Sequence, residues 1–181
     1  MRLTDILTGL RAGLVCACLL AGQALGTDVP AAYRLGAGDH ISINVFDEAD
    51  LSMDFRLNDS GIVNYPLLGE IDVAGLTVKE LEQRIATGLL DGFLVNPDVT
   101  VSIEEYRPIF INGEVKQPGG FPYQPGLTVQ KAVTLAGGFT ERARRSNFRL
   151  KRANAAGSEQ EVGPDITIMP GDIITVERSF F

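Results

Sequence analysis

The chain has 181 residues, of which 23 are Asp or Glu and 16 are Lys or Arg, so its net charge is −7 at neutral pH. An acidic chain without Trp is poorly suited to nucleic-acid binding, because phosphate contacts need clustered Lys and Arg. One His, two Cys and no Gly-x-x-x-x-Gly-Lys loop exclude the usual His/Cys zinc site and a phosphate-binding loop, and we expect no cofactor.

Residues 1–26 have the pattern of a secretory signal peptide. Residues 12–22 (AGLVCACLLAG) form an apolar stretch far shorter than the roughly 20 residues that span a bilayer. Ala24-Leu25-Gly26 then provides the small-x-small pattern of a signal-peptidase site. We therefore expect export to the periplasm and a mature chain that begins at Thr27.

Both cysteines, Cys16 and Cys18, lie in this leader. The residues before Cys18 match only half of the lipoprotein acylation motif, so lipidation at Cys18 is one alternative to cleavage after Gly26. An uncleaved anchor or buried helix is the other alternative. With cleavage after Gly26, the mature protein would have no cysteine and no disulfide in an oxidising compartment.

Two strands and one helix are predicted in the first half of the chain beyond the leader. Apolar residues alternate in 41–45 (ISINV) and in 99–103 (VTVSI), as on half-buried strands. Between them, residues 77–93 carry an apolar stripe at helical spacing. Thr77 is the predicted N-cap, and Glu80 three residues later completes a capping box.

The second half repeats this mixture of strands and a capped helix. A strand is predicted at 109–111 (IFI), and a helix begins after Thr128 and ends at Gly137-Gly138. Residues 166–177 (ITIMPGDIITVE) predict a final pair of strands with a Pro-Gly-Asp turn between them. The predicted class is α+β, with more strands than helices.

Short sequences recur between the two halves. Gly75-Leu76-Thr77-Val78 opens the first helix and Gly126-Leu127-Thr128-Val129 the second, while Gly38-Asp39 and Gly171-Asp172 each precede a strand. Duplication and independent use of the same turn chemistry both explain the recurrence. We place the boundary between the halves at residues 105–108.

Two segments resemble known families. Residues 33–46 (YRLGAGDHISINVF) resemble the opening of the polysaccharide export domain, and residues 112–138 (NGEVKQPGGFPYQPGLTVQKAVTLAGG) resemble the soluble-ligand-binding β-grasp (SLBB) domain. Glycine and proline dominate the matching positions, which indicates that these residues shape turns and do no chemistry. The matching positions are Tyr33, Arg34, Gly36, Gly38, Asp39, Gly113, Val115, Pro118, Gly119, Thr128, Val129, Ala132, Gly137 and Gly138.

The resemblance implies an export domain at residues 30–105 and an SLBB domain with C-terminal strands at 107–181, with mixed sheets that each pack a helix. It further implies a non-enzymatic component of exopolysaccharide or capsule export that forms a ring of identical copies and conducts polysaccharide. The implied partners are an inner-membrane polysaccharide co-polymerase, which regulates chain length, and an outer-membrane pore component. The implied location is the periplasm, in association with the outer membrane.

The chain departs from the longer exporters of this family. Those proteins have further β-grasp domains and a C-terminal amphipathic helix that forms the pore, whereas this sequence stops at VERSFF. We therefore expect this chain to correspond to the ring-forming periplasmic part of those exporters and to lack their pore.

One basic run lies in residues 142–152 (RARRSNFRLKR). Guanidinium groups suit carboxylates, so Arg142, Arg144 and Arg145 are predicted contacts to an acidic polysaccharide or an acidic neighbouring subunit. The alternative is that the run is a solvated loop and strand face.

Other functions have less support in the sequence. Asp39-His40 precedes a predicted strand, where Gly-Asp is ordinary turn chemistry, and the adjacent acids Glu104-Glu105 and Asp47-Glu48 point to opposite strand faces. An enzyme is therefore the weakest hypothesis. The main alternative is a monomeric ligand- or glycan-binding β-grasp module, like relatives that bind cobalamin. A DNA-uptake protein would share the β-grasp hairpin but usually adds a basic helix-hairpin-helix, which is absent here.

Overall fold

The computed structural model describes residues 33–153 and 158–179. The predicted leader, the cleavage site after Gly26 and the acylation alternative at Cys18 lie outside these residues.

The first hydrophobic core belongs to a three-stranded antiparallel sheet and one helix. Its strands β1, β2 and β5 are ordered β2–β1–β5, and a separate hairpin pairs β3 with β4. Leu81, Ile85 and Leu89 of the helix are fully buried against the strands, as the helical stripe predicted. The elements are β1 (His40–Val45), a short 3-10 turn (Ala49–Leu51), β2 (Met53–Arg56), β3 (Ile62–Tyr65), β4 (Gly69–Asp72), α1 (Val78–Leu90) and β5 (Val99–Glu105).

The second core belongs to a five-stranded mixed sheet with the order β7–β6–β10–β8–β9. The β10–β6 pair is parallel, and the other pairs are antiparallel. Val129, Ala132 and Val133 of the second helix are buried with the inward residues of the sheet. The elements are β6 (Ile109–Gly113), β7 (Gly119–Phe121), α2 (Val129–Leu135), β8 (Phe148–Lys151), β9 (Glu159–Val162) and β10 (Ile173–Val176).

Both predicted helix starts are confirmed. In α1 the Thr77 side chain accepts from the backbone N–H of Glu80 at 3.2 Å, and Glu80 accepts from the Thr77 N–H at 2.7 Å, which completes the capping box. In α2 Thr128 accepts from the N–H of Lys131 at 3.4 Å. The predicted α+β class is also confirmed, with ten strands and two α-helices in the described residues.

The predicted pair of strands in 166–177 is wrong in its first member. Only β10 is a strand, while residues 166–169 form a single bridge between Thr167 and Thr128. The backbone carbonyl of Ile166 accepts from the N–H of Val129 at the start of α2, and Pro170 has no N–H to continue a ladder. Hydrogen bonds to the helix start therefore replace strand pairing here.

The two cores meet at residues 106–108. Tyr106 packs edge to face against Tyr33, with ring centroids 5.1 Å apart, and against Tyr123, with centroids 5.3 Å apart. These three rings join the start of the first core to the β7–α2 loop of the second.

Candidate functional site

In the first motif, residues 33–46, the carboxylate of Asp39 is buried and accepts several hydrogen bonds. The Tyr33 hydroxyl donates to this carboxylate at 2.7 Å, and the backbone N–H groups of Gly36 and Arg107 each donate at 2.9 Å. Burial and the hydrogen bond to Asp39 raise the pKa of the Tyr33 hydroxyl above its usual value. A buried carboxylate with three donors is a satisfied structural group. It ties the start of the first core to the residue that leads into the second.

Asp172 repeats this arrangement before β10. Its carboxylate is 1% exposed and accepts from the backbone N–H of Met169 at 2.8 Å, the N–H of Ala153 at 3.2 Å and the Arg152 guanidinium at 2.8 Å. In both turns the aspartate accepts from the N–H three residues earlier. The recurring Gly-Asp sequence thus marks the same turn at two strand entrances.

Arg107 lies between the two turns. Its Nε donates to the carbonyl of Pro170 at 3.2 Å, and its Cζ lies 5.5 Å from the centroid of the Tyr33 ring. A Cβ at Gly38 would lie 3.1 Å from the Arg107 Cβ, and one at Gly171 would lie 3.1 Å from the Arg107 Nε. Both glycines also have positive φ angles, +94° and +82°. Only glycine meets both requirements without strain.

In the second motif, residues 112–138, the glycines form turns and the apolar residues belong to the second core. Gly113 has φ +86°, and a Cβ there would overlap the carbonyl of Val176 on the neighbouring strand β10. Gly137 and Gly138 end α2 with φ angles of +78° and +88°. The motif's apolar positions, Val115, Val129 and Ala132, are buried, and Pro118 and Gly119 lie where the chain enters β7.

The remaining polar positions show no catalytic arrangement. Arg34 donates to the carbonyl of Gly75 at 2.7 Å and lies 3.6 Å from Glu80, so it supports the start of α1. His40 is half-buried at the start of β1, and Glu105 forms a 2.6 Å salt bridge with Arg56. Within residues 33–153 and 158–179 no group of three or more His, Cys, Asp or Glu is arranged to hold a metal ion. No helix in that part of the chain is long and apolar enough to cross a membrane.

The basic run separates into paired and unpaired arginines. Arg144 lies 3.3 Å from Glu177 and 3.6 Å from Glu161, so its charge is already balanced within the chain. Arg142 and Arg145 are exposed and form no salt bridge among the described residues, although the Arg145 Cζ lies 5.8 Å from the centroid of the Phe139 ring. The predicted trio therefore presents two available cations.

A polar groove of about 440 Å³ lies beside Arg144, and we call it the Arg–Glu groove. Arg149 pairs there with Glu159 and Glu177, and Asn147 donates to Glu161 at 2.7 Å. The groove is lined by Arg144, Asn147, Phe148, Arg149, Glu159, Gln160, Glu161 and Glu177.

Several exposed apolar side chains lie on the turn after β1 and at the end of α1 with the loop that follows it. Val95 is 97% exposed, and Phe46, Leu90 and Phe93 are about half exposed or more. The backbone N–H of Phe46 donates to the carbonyl of Asp98 at 2.9 Å, which brings the turn after β1 beside the loop after α1. We call these four residues the apolar end.

Arg107 and the acidic side of the groove were not predicted from the sequence. Arg107 carries no local signal, because its role depends on two turns that are distant in sequence. The groove did have a signal: Arg149-x-Lys151 and Glu159-x-Glu161 alternate with opposite charges, which is typical of paired strands.

Comparison with known proteins covers both halves of the chain. Residues 27–104 match the family model described as "Polysaccharide biosynthesis/export protein", and residues 108–164 match the SLBB domain model.

Curated relatives carry related descriptions. The "Exopolysaccharide production protein ExoF" of Rhizobium meliloti (strain 1021) is 33% identical over 155 residues, which are 78% of this chain and 37% of the relative. The "EPS I polysaccharide export outer membrane protein EpsA" of Ralstonia nicotianae is 29% identical over 181 aligned residues, which are 81% of this chain and 47% of the relative. The chain thus spans less than half the length of these relatives.

Proposed function

The chain carries a polysaccharide export domain followed by an SLBB domain, and on this premise we propose that it is a non-enzymatic component of exopolysaccharide or capsule export. The observation that carries the proposal is the order of the two domains, which account for residues 27–104 and 108–164. Two relatives that share this similarity are named for exopolysaccharide production and for polysaccharide export. Such a component would guide the glycan through the envelope and would catalyse no reaction.

A deletion strain tests this role. Removing the gene should lower the amount of polymer in the medium, and the wild-type chain should restore it. Wild-type amounts of secreted polymer in the deletion strain would contradict the proposal.

The proposed location is the periplasm, at the outer membrane. One relative is named an outer membrane protein, and the leader predicted at residues 1–26 would deliver the chain across the inner membrane. An inner-membrane co-polymerase would supply the glycan, and an outer-membrane pore component would receive it. Fractionation of cells should find the chain with the outer membrane when these partners are present; recovery in the cytoplasm would contradict this location.

We further propose that copies of the chain assemble into a ring. Arg142 and Arg145 are available cations on a chain of net charge −7, so a second copy offers more carboxylates than cations. The apolar end provides a second contact, since exposed apolar clusters mark interaction surfaces.

Self-association can be measured by sedimentation of the mature chain. Replacing Arg142 and Arg145 with Gln should shift the distribution toward monomer and reduce polymer secretion. Lys79→Gln with Lys116→Gln is the matched control, because it makes the same charge change at two exposed lysines elsewhere. A strict monomer at all concentrations, with or without the partners, would favour the alternative of a monomeric ligand- or glycan-binding module.

A further inference from the structure

The outer face of the five-stranded sheet presents two rows of side chains that cross four strands. The strand registers place Phe110 beside Ile173, Ile173 beside Lys151, and Lys151 beside Glu159. The second row is Asn112, Thr175, Arg149 and Glu161. Because strands lie about 4.8 Å apart, each row is roughly 14 Å long. The opposite face of the same strands is buried against α2.

An exposed aromatic ring stands at one end of this face. Phe110 is 43% exposed on β6, and its register partner on the edge strand β7 is Gly120. A Cβ at Gly120 would lie 3.3 Å from the Phe110 Cε1, so the ring packs close to the backbone of that strand. The glycine therefore leaves room for the ring without covering it.

The Arg–Glu groove occupies the other end of the face. At this end of the face, Arg144 and Arg149 of the groove and Lys151 beside it on β8 are three cations, and Glu159, Glu161 and Glu177 are three anions. The local charge is therefore zero on a chain whose net charge is −7.

Paired charges keep capacity for further hydrogen bonds. A guanidinium has five N–H donors and a carboxylate about four acceptor sites, so salt bridges leave several of each free. A surface with many donors and acceptors but no net charge has no electrostatic preference for a polyanion. It suits uncharged hydroxyl groups.

We propose that this sheet face binds an uncharged segment of the exported polysaccharide, with Phe110 as the apolar platform for a sugar ring and Arg149, Asn112 and Glu161 as hydrogen-bond partners of its hydroxyls. The inference rests on the proposed export function and names the sugar contact within it. The volume of the groove, about 440 Å³, lies in the usual range for small-molecule pockets.

Binding is tested with the mature chain and two probes: the polymer secreted by the producing strain and polygalacturonate, a polyanion. The secreted polymer should shift the NMR signals of Phe110 and its neighbours. Affinity for the secreted polymer should be retained in about 0.5 M salt, where screening limits electrostatic attraction to a range of only a few Å.

Phe110→Leu keeps apolar bulk but removes the ring, and it should weaken affinity for the secreted polymer roughly threefold to tenfold. Phe110→Tyr should retain binding. Ile62→Val is the control, because it shortens another apolar side chain of similar exposure, 42%, on β3 of the first core, and it should leave binding unchanged. Unchanged unfolding midpoints would show that the variants are folded.

Several results would overturn the inference. They are equal affinity of Phe110→Leu and wild type, binding of polygalacturonate alone, loss of binding in salt, or no shift at Phe110 with either probe. Loss of self-association in Phe110→Leu without loss of polymer binding would also overturn it, since the face would then be an interface between copies.

The outcome is separable from that of the proposed function. If the deletion strain fails to secrete polymer but Phe110→Leu secretes and binds normally, the export role stands and this contact falls. If the deletion strain secretes normally, the export role itself falls.

Discussion

At the scale of single residues, the first motif, residues 33–46, connects the two hydrophobic cores. Asp39 collects donors from the Tyr33 side chain, from its own turn and from the Arg107 backbone, which lies 68 residues away in sequence. Arg107 in turn contacts the second Gly-Asp turn through the Pro170 carbonyl. Residues that look like catalytic candidates in the sequence therefore hold the backbone in place.

Asp39→Asn should lower the free energy of unfolding by about 1–3 kcal/mol, because the amide removes one acceptor and turns an NH₂ group toward buried donors. Urea unfolding measures the change. Asp54→Asn, at an exposed position of β2, is the control and should change stability by less than about 0.5 kcal/mol. Equal effects of the two substitutions would contradict the role of Asp39.

Tyr33 predicts a loss of stability in alkaline solution. Its pKa is raised in the folded state, so the neutral hydroxyl stabilises the fold fully below the usual tyrosine pKa of 10.0. Above that pH the unfolded state ionises first, and the free energy of unfolding falls. Tyr33→Phe should make this fall shallower in urea unfolding between pH 9 and about 11. Tyr65 and Tyr123, whose pKa values are also raised, should keep part of the slope.

At the scale of elements, the two helix starts differ in the completeness of their caps. Glu80 returns a hydrogen bond to the Thr77 N–H, whereas the corresponding residue of α2 is Lys131, which makes no such bond and donates to the Gly126 carbonyl instead. The two helices therefore share a threonine cap but only the first has a reciprocal partner.

Thr77→Ala should destabilise the chain by about 1 kcal/mol, and Thr128→Ala by less, because the Thr128 hydrogen bond is longer and unreciprocated. Thermal unfolding of the two variants under identical conditions provides the comparison. A larger effect at Thr128 would contradict this account of the caps.

The helices and the alternating apolar strands were predictable because their signals are local. Thr77, Glu80 and the stripe on α1 all lie within a few turns of one another, and Ile41, Ile43 and Val45 follow simple alternation. Strands β8 and β9 were missed because charged residues occupy their outer face and hide the two buried positions of β8, Phe148 and Leu150.

The outer sheet face shows why a site is harder to predict than an element. Phe110 and Glu159 lie on one face only because β6, β10, β8 and β9 pair in a non-sequential order. Their sequence spacing contains no trace of that order. The groove at Arg144 has the same cause, since Glu177 comes from beyond β10 and Glu161 from β9.

At the scale of the whole molecule, we propose that the two cores serve the assembly of copies of the chain. The described residues provide two sheets with exposed faces, an apolar end and two available arginines, while the acidic and histidine side chains considered for catalysis form salt bridges, accept structural hydrogen bonds or lie apart. We propose that glycan export follows from how copies of these surfaces are arranged around the polymer.

The most direct test of that claim is a pulse of labelled sugar in cells in which expression of the gene has been switched off. We expect total incorporation of label into polymer to start at the wild-type rate, while the label remains with the cells and little reaches the medium. Label that reaches the medium at the wild-type rate, or total incorporation that falls from the first time point, would contradict it.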